Sequence, residues 1–369
     1  MTVRLADHTT LRIGGPVGDF VHATTEAQLI EQVTALDGAG HPLLLLGGGS
    51  NLVCGDKGFD GTVIAMGVRG LTIRVANDVV DIVACCGESW DGLVAHAVDS
   101  GWAGIEALSG IPGLVGATPI QNVGAYGQDV SQTITRVRAL DRTTGLVVEL
   151  TAADCEFTYR GSVFKEQPER WVVLDVAFRL RAGAESVVRY AQLAEDLGIE
   201  AGGAAAPSLI REAVLRLRRA KGMVLDREDP DTSSAGSFFT NPIVSDAVAV
   251  ALPRDCPRYP APAGVKVSAA WLIEHAGVTR GWQARTGSAA AISSKHTLAI
   301  ANLGGASASE VIELASAVRD RVQSSFGIML EAEPRFVNCE LGQVSGAERS
   351  VGLGEQRRHA ADALGDVGV

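Results

Sequence analysis

The stretch that constrains this chain most is Ser109–Gly127, which reads Ser-Gly-Ile-Pro-Gly-Leu-Val-Gly-Ala-Thr-Pro-Ile-Gln-Asn-Val-Gly-Ala-Tyr-Gly. Five glycines and two prolines within nineteen residues exclude an ordinary helix or strand. The same residues carry no charge, whereas flexible linkers are polar and charged. The stretch therefore reads as an ordered, buried loop whose bare backbone can approach a partner closely. Buried peptide groups need hydrogen-bonding partners, and a large polar ligand could supply them. We read it as one wall of a cofactor site rather than a packed crossover between strands.

A second glycine cluster lies upstream. Leu43–Leu46 reads as a buried strand and runs into Gly47-Gly48-Gly49-Ser50-Asn51. The dinucleotide fingerprint G-x-G-x-x-G fails here, because its last position, counted from Gly47, is Leu52. Turns at Gly55, Gly58 and Gly61 and a strand at Val63-Ile64 follow, where that fingerprint needs a helix. No Gly-Lys-Ser/Thr follows, so the loop is not a P-loop either. What is left is a turn whose successive N–H groups can cradle an anion without a helix dipole.

The flanking sequence gives an α+β organisation. Thr25-Glu-Ala-Gln28 has capping-box spacing ahead of a helix carrying Leu29, Ile30, Val33 and Leu36. Strands are expected at 79–84, 136–140 and 146–150 (a hairpin around Arg142–Gly145), 155–160, 171–180 and 328–337. Glu331, Glu333 and Arg335 would share one face of the last. Helices are expected at 90–100, after Tyr190, from Pro207, at 268–277 and at 307–326. The helix from Pro207 carries Arg211, Arg216, Arg218, Arg219 and Lys221 towards its C-terminus, where cations suit the dipole. We read the arginines as a solvated face and set Lys221 aside as an anion ligand.

Composition narrows the partners. A net charge of −11 and the lack of a basic run argue against nucleic acid or an anionic membrane. No apolar run is long enough to span a bilayer, and no signal-peptide core opens the chain, so the expected location is the cytosol. The six cysteines form no C-x-x-C pair and the histidines no H-E-x-x-H, so neither a disulfide framework nor a metal site is expected.

Five separated motifs resemble one family: Leu46-Gly-Gly-Gly-Ser-Asn-Leu-Val53, Gly110–Gly127, Tyr159-Arg-Gly-Ser-Val-Phe-Lys165, Gly236-Ser-Phe-Phe-Thr-Asn-Pro242 and Leu330-Glu-Ala-Glu-Pro-Arg-Phe336. They occur in the order found in the UDP-N-acetylenolpyruvoylglucosamine reductases, and the resemblance covers about residues 8–338. It implies a two-lobed FAD-binding region of the vanillyl-alcohol-oxidase (PCMH) type plus an α/β substrate-binding domain. The implied boundaries are 1–190 for the FAD region, with lobes at about 1–65 and 66–190, and 200–325 for the substrate domain. A strand at 326–340 would return to the flavin, and 341–369 would be a flexible tail.

The same resemblance implies roles. Leu46, Gly47, Gly48, Gly49, Ser50 and Asn51 would wrap non-covalent FAD. So would Gly110, Ile111, Pro112, Gly113, Gly116, Ala117, Ile120, Gln121, Asn122, Gly124, Ala125, Tyr126 and Gly127. NADPH would be a co-substrate that leaves before the enolpyruvyl UDP-sugar enters, in keeping with the missing dinucleotide fingerprint. Arg160 would bind the substrate carboxylate. A carboxyl from the Glu331/Glu333 face would assist, the family pattern selecting Glu333, and Ser237 would deliver the last proton. Lys221 would meet the diphosphate, with Tyr190, Asn241, Tyr259 and His296 around the substrate. The sequence departs from the family's commoner residues at Pro334, Thr240 and Gly161. Two rival readings are an FAD-dependent oxidase of the same superfamily and a catalytically silent nucleotide-sugar binding protein. The absence of histidine from both glycine loops weighs against the first, since such oxidases often attach flavin covalently. The joint presence of Arg160, Ser237 and Glu333 weighs against the second.

Overall fold

The computed structural model describes residues 2–342, so most of the expected tail lies outside the described residues. Three sheets organise the chain. The first is parallel, in the order Val17–Ala23, Phe59–Met66, Leu43–Leu46. Helix Glu26–Gly38 packs on it through Leu29 and Val33, and the Thr25 hydroxyl caps that helix by accepting from Gln28 N. The reciprocal arm of the expected capping box goes one residue astray: Gln28 Oε1 accepts from Thr24 N at 3.0 Å.

The second sheet is antiparallel, in the order Leu146–Thr151, Ile134–Asp141, Trp171–Ala182, Val79–Cys85, Leu71–Ala76. Val79–Cys85 alternates between buried and half-buried residues, with Val80, Ile82 and Ala84 under helix Trp90–Asp99. Trp171–Ala182 is central and buried on both faces over most of its length. The third sheet, Ser234–Ser237, Ala299–Asn302, Ala290–Ile292, is covered by helices Ala269–His275 and Ala308–Phe326.

Ion pairs and caps tie these bodies together. Arg142 grips Asp37 through Nη2 at 2.6 Å and Nε at 3.0 Å, joining the second sheet to the helix of the first. Helix Ala308–Phe326 has its own capping box, Ser307 with Glu310. Asp56, from the loop after the glycine turn, accepts two more of its N-terminal donors, Ala308 N at 2.7 Å and Ser309 N at 3.1 Å. The strand Arg335–Val337 runs parallel to Leu52–Cys54 and so brings the C-terminal motif back beside Gly47–Asn51.

Three expectations need correction. Residues 155–160 alternate like a strand but fold as turns, with Glu156 and Arg160 in the left-handed region at φ 47° and 55°. The strand expected at 328–337 is regular only at Arg335–Val337. Upstream of it, Glu333 N donates to Phe238 O and the chain bridges Phe239 to Ala332. Glu331 therefore faces solvent, whereas the Glu333 side chain is 10% exposed. Finally, Arg218 does not lie on a solvated face: its guanidinium turns in beneath the Gly110 loop.

Candidate functional site

The two glycine stretches cross. A β-carbon at Gly48 would lie 2.7 Å from Gly113 Cα, and one at Gly49 would lie 2.0 Å from His8 O, with Gly49 at φ 61°. No side chain fits either place, so the bare peptides form a continuous wall. Ser50 Oγ reinforces the crossing by donating to Pro112 O at 3.3 Å. The cleft in front of this wall holds about 1500 Å³ of empty space, its open mouth included.

The C-terminal motif is stitched to both loops. Asn51 Nδ2 donates to Gln121 Oε1 at 2.6 Å and to Glu333 O at 3.3 Å. Gln121 Nε2 donates to Glu333 Oε1 at 3.2 Å, and Arg335 N donates to Asn51 O at 3.0 Å. Arg160 meets the same carboxylate from another side. Its Nη2 donates to Gly124 O at 2.8 Å and its Nε lies 3.2 Å from Glu333 Oε1. That Nε–H is not aimed at the oxygen and finds no other acceptor, although the atom is buried. Burial raises the Glu333 carboxyl above its ordinary range, and the charges of Arg160 and Lys165 pull it back down.

Of the residues singled out in the sequence, Gly47–Asn51, Ile111–Gly113, Ala117, Ile120, Gln121, Gly124, Arg160, Ser237 and Glu333 line this cleft. Others stand behind it. Leu46 is buried at the end of its strand. Gly116 packs on the Cys86 backbone, to which its N–H donates at 3.0 Å. Asn122, at φ 46°, ties the loop to its surroundings through Thr158 O and Ser131 N. Gly110 touches helix Pro207–Ala220, Ala125 pairs with Gln128, and Gly127 opens away from the cleft.

The expected substrate residues fall into two groups. Tyr126 and Tyr190 meet edge to face at 5.4 Å, with Lys221 Nζ 5.7 Å from the Tyr126 ring and donating to Gln192 Oε1 at 2.8 Å. On the other side Lys266 Nζ sits 4.5 Å over the Tyr159 ring and 5.8 Å from that of Tyr259. There Asn241 Oδ1 accepts from Ala269 N at 2.9 Å. Sequence reasoning gave no role to Lys266 or Arg218. The Arg218 guanidinium lines the cleft, donates to Met223 O at 2.7 Å, and keeps a buried Nε without an acceptor. No local signal separates it from Arg216 or Arg219, because its burial comes from the distant Gly110 loop.

His296 is held by a short turn, its N–H donating to Ser293 Oγ at 3.3 Å. Burial, with the charges of Lys221 and Arg280, lowers its imidazole to about 4, so it is neutral at pH 7. A depressed pKa means that the unfolded chain takes up this proton first. Stability should therefore fall as pH drops from about 6.5 towards 4, and level off below that. Urea midpoints across that range should show the slope, and His296→Gln should remove its share.

The unsatisfied, buried Nε atoms of Arg160 and Arg218 on the lining of this cleft fit an anionic occupant. This α+β fold and cleft suit an FAD-containing oxidoreductase. Residues 19–151 match the family model for an FAD binding domain, and residues 226–337 match that for the C-terminal domain of UDP-N-acetylenolpyruvoylglucosamine reductase. The UDP-N-acetylenolpyruvoylglucosamine reductase of Streptomyces coelicolor is 50% identical over 350 residues, spanning 91% of this chain and 90% of its own. That of Cutibacterium acnes is 48% identical over 343 residues, spanning 92% and 90%. The crystal structure of the Thermus caldophilus enzyme superposes with a TM-score of 0.61 at 25% identity, covering 91% of this chain and 98% of that one. The chain belongs to the UDP-N-acetylenolpyruvoylglucosamine reductase family.

Proposed function

We infer that the cleft reduces the enolpyruvyl group of UDP-N-acetylglucosamine-enolpyruvate to the lactyl ether, giving UDP-N-acetylmuramate for peptidoglycan synthesis. The electrons come from NADPH. FAD, when bound, supplies the two-electron relay between the two substrates. The observation that carries the reading is that Arg160, Glu333 and Ser237, from three separated motifs, line one cleft with both glycine loops.

Each residue has a distinct task. The peptides of Gly47–Asn51 and Ile111–Gly113, on the walls of the cleft, hold the cofactor. Arg160 binds the substrate carboxylate, its free Nε and planar fork suiting two oxygens at once. Glu333, its carboxyl raised by burial and held by Gln121, is placed to hydrogen-bond or protonate charge growing on that carboxylate. Ser237 holds the proton destined for the neighbouring carbon. The resulting carbanionic centre is basic enough to take it from a hydroxyl when water is kept out. Arg218 and Lys266 add positive potential on either side of the anionic substrate. Among the described residues no helix is long and apolar enough to cross a membrane. The proposed location is the cytoplasm, and the proposed division is into two FAD-binding lobes, a substrate domain and a returning strand.

Two results are expected. The flavin is non-covalent: acid or heat should send all of the yellow chromophore into the supernatant. Cys54, the thiol that follows the first loop in sequence, is an inert nucleophile because burial and nearby Cys339 push it up to about 12. Flavin retained by the precipitated chain would support the oxidase reading instead. Secondly, Lys221→Ala should raise KM for the UDP-sugar roughly ten- to a hundredfold through the loss of a charged hydrogen bond. Bleaching by NADPH under anaerobic conditions should stay near the parental rate. An unchanged KM would leave Lys221 with its contacts to Gln192 and the Tyr126 ring.

A further inference from the structure

Two helices hold Gly110 from both sides. The Gly110 N–H donates to Asp91 Oδ1 at 2.6 Å. Arg211 Nη1 donates to that same oxygen at 2.6 Å, and its Nη2 to Oδ2 at 3.2 Å. On the other side, Gly110 O accepts from Arg218 Nη2 at 3.4 Å. Arg211 and Arg218 lie two turns apart on helix Pro207–Ala220, so they project from one face. The approach is close: a β-carbon at Gly110 would lie 2.8 Å from Leu215 Cδ2 and 3.1 Å from Val224 Cγ2, at a φ of 71°. The helix ends at Lys221, which faces Tyr126 and Gln192. The loop that carries the flavin wall and the cation that awaits a diphosphate are therefore opposite ends of one rigid connection.

An acidic residue in the first turn of helix Trp90–Asp99 has an ordinary explanation, the favourable interaction with the helix dipole. That explanation accounts for neither the Gly110 N–H nor Arg211. We propose that Asp91 is a positioning residue. By locking helix Pro207–Ala220 to the Gly110 peptide, it makes occupancy of the glycine loop by FAD and capture of a nucleoside diphosphate at Lys221 strengthen each other. The inference rests on the assignment to the flavin of the loop that Gly110 opens, whose Ile111–Gly113 line the cleft, and of Lys221 to the diphosphate. Linkage makes the effect reciprocal: if bound FAD sets the helix end for the diphosphate, bound diphosphate must slow the loss of FAD.

The test uses the holoenzyme with UDP as the probe. Calorimetry gives UDP affinity, and the fluorescence rise of released flavin gives the rate of FAD loss with and without saturating UDP. In the parent, UDP should bind and slow FAD loss about five- to tenfold. Asp91→Ala and Arg211→Met should each abolish the slowing, and the double variant should be no worse than either. Asp91→Asn keeps an oxygen that the Gly110 N–H and Arg211 can still share but loses the charge, so it should keep part of the effect. In all of them KM for the UDP-sugar should rise with kcat little changed, a split that general destabilisation would not produce. If Asp91→Ala does not fold, Asp91→Asn and Arg211→Met decide. A parent that does not bind UDP overturns the assignment of Lys221 and the coupling with it. A parent that binds UDP without slowing FAD loss, or Asp91→Asn and Arg211→Met variants that slow it as much as the parent does, overturns the coupling alone.

Discussion

Ser237→Ala is expected to stay yellow and to be bleached by NADPH at close to the parental rate, yet to reduce the enolpyruvyl substrate about 10²- to 10⁴-fold more slowly. The asymmetry follows from where the hydroxyl acts. It is needed only once negative charge has reached the substrate carbon. The local fold suits that role, because the serine sits on a fixed base. Gly236, at φ 74°, turns the end of strand Ser234–Ser237 towards the cleft. The next two residues, Phe238 and Phe239, are buried. Phe238 N donates to Leu298 O at 2.7 Å, and Phe238 O accepts from Glu333 N at 2.9 Å, so serine and glutamate share one backbone mounting. Ser237→Cys should recover part of the rate, since a thiol can also donate. Anaerobic stopped-flow of the two half-reactions separates the outcomes, and product formed in deuterated water reports protonation at carbon. If Ser237→Ala is reoxidised by the enolpyruvyl substrate as fast as the parent, the proton comes from another donor.

What the sequence disclosed, and what it hid, divides along the range of the interactions. Thr25, Ser307 and Glu310 are caps whose partners lie within three residues, so local spacing sufficed to find both helix starts. Gly48 and Gly113 were legible as sites needing a bare backbone, although only the fold reveals that each needs it because of the other. Residues 155–160 misled because alternation records which side chains face inward and not where the backbone bonds go. Here Thr158 and Gly161 bond to each other across a turn instead of to a neighbouring strand. The choice between Glu331 and Glu333 was likewise beyond local pattern. It depends on Phe238 O and Asn51 Nδ2, both far away in the chain, gripping the Glu333 backbone and turning that side chain inward. Arg218 was misread for a related reason. A cation near a helix end is usually solvated, and only the packing of the Gly110 loop removes it from water.

Arg160→Met is expected to lower kcat/KM for the enolpyruvyl substrate by roughly 10²- to 10³-fold, because leaving a buried substrate carboxylate without its charge partner costs about 3–4 kcal/mol. The loss has two sources that a pH series can separate. One is the missing partner for the substrate carboxylate, which Arg160→Lys should restore only weakly, since an ammonium cannot span two oxygens as a guanidinium does. The other is the effect on Glu333. Burial already raises its carboxyl, and Arg160 is the foremost charge opposing that rise, so its removal should lift the carboxyl further. With the folded-state pKa raised above the unfolded value, ionisation costs stability as pH climbs through the folded value. In Arg160→Met that decline should begin at the same pH, set by the unfolded carboxyl, but run on to higher pH, and in Arg160→Met/Glu333→Gln it should vanish. NADPH-driven bleaching should be little affected throughout, because neither side chain is assigned to that half of the reaction. Urea midpoints against pH, taken beside kcat/KM for each variant, give both readings. Were Arg160→Met to keep parental kcat/KM, the substrate carboxylate would have to bind elsewhere, and Arg218, with its own free Nε in the same cleft, would be the next residue to test.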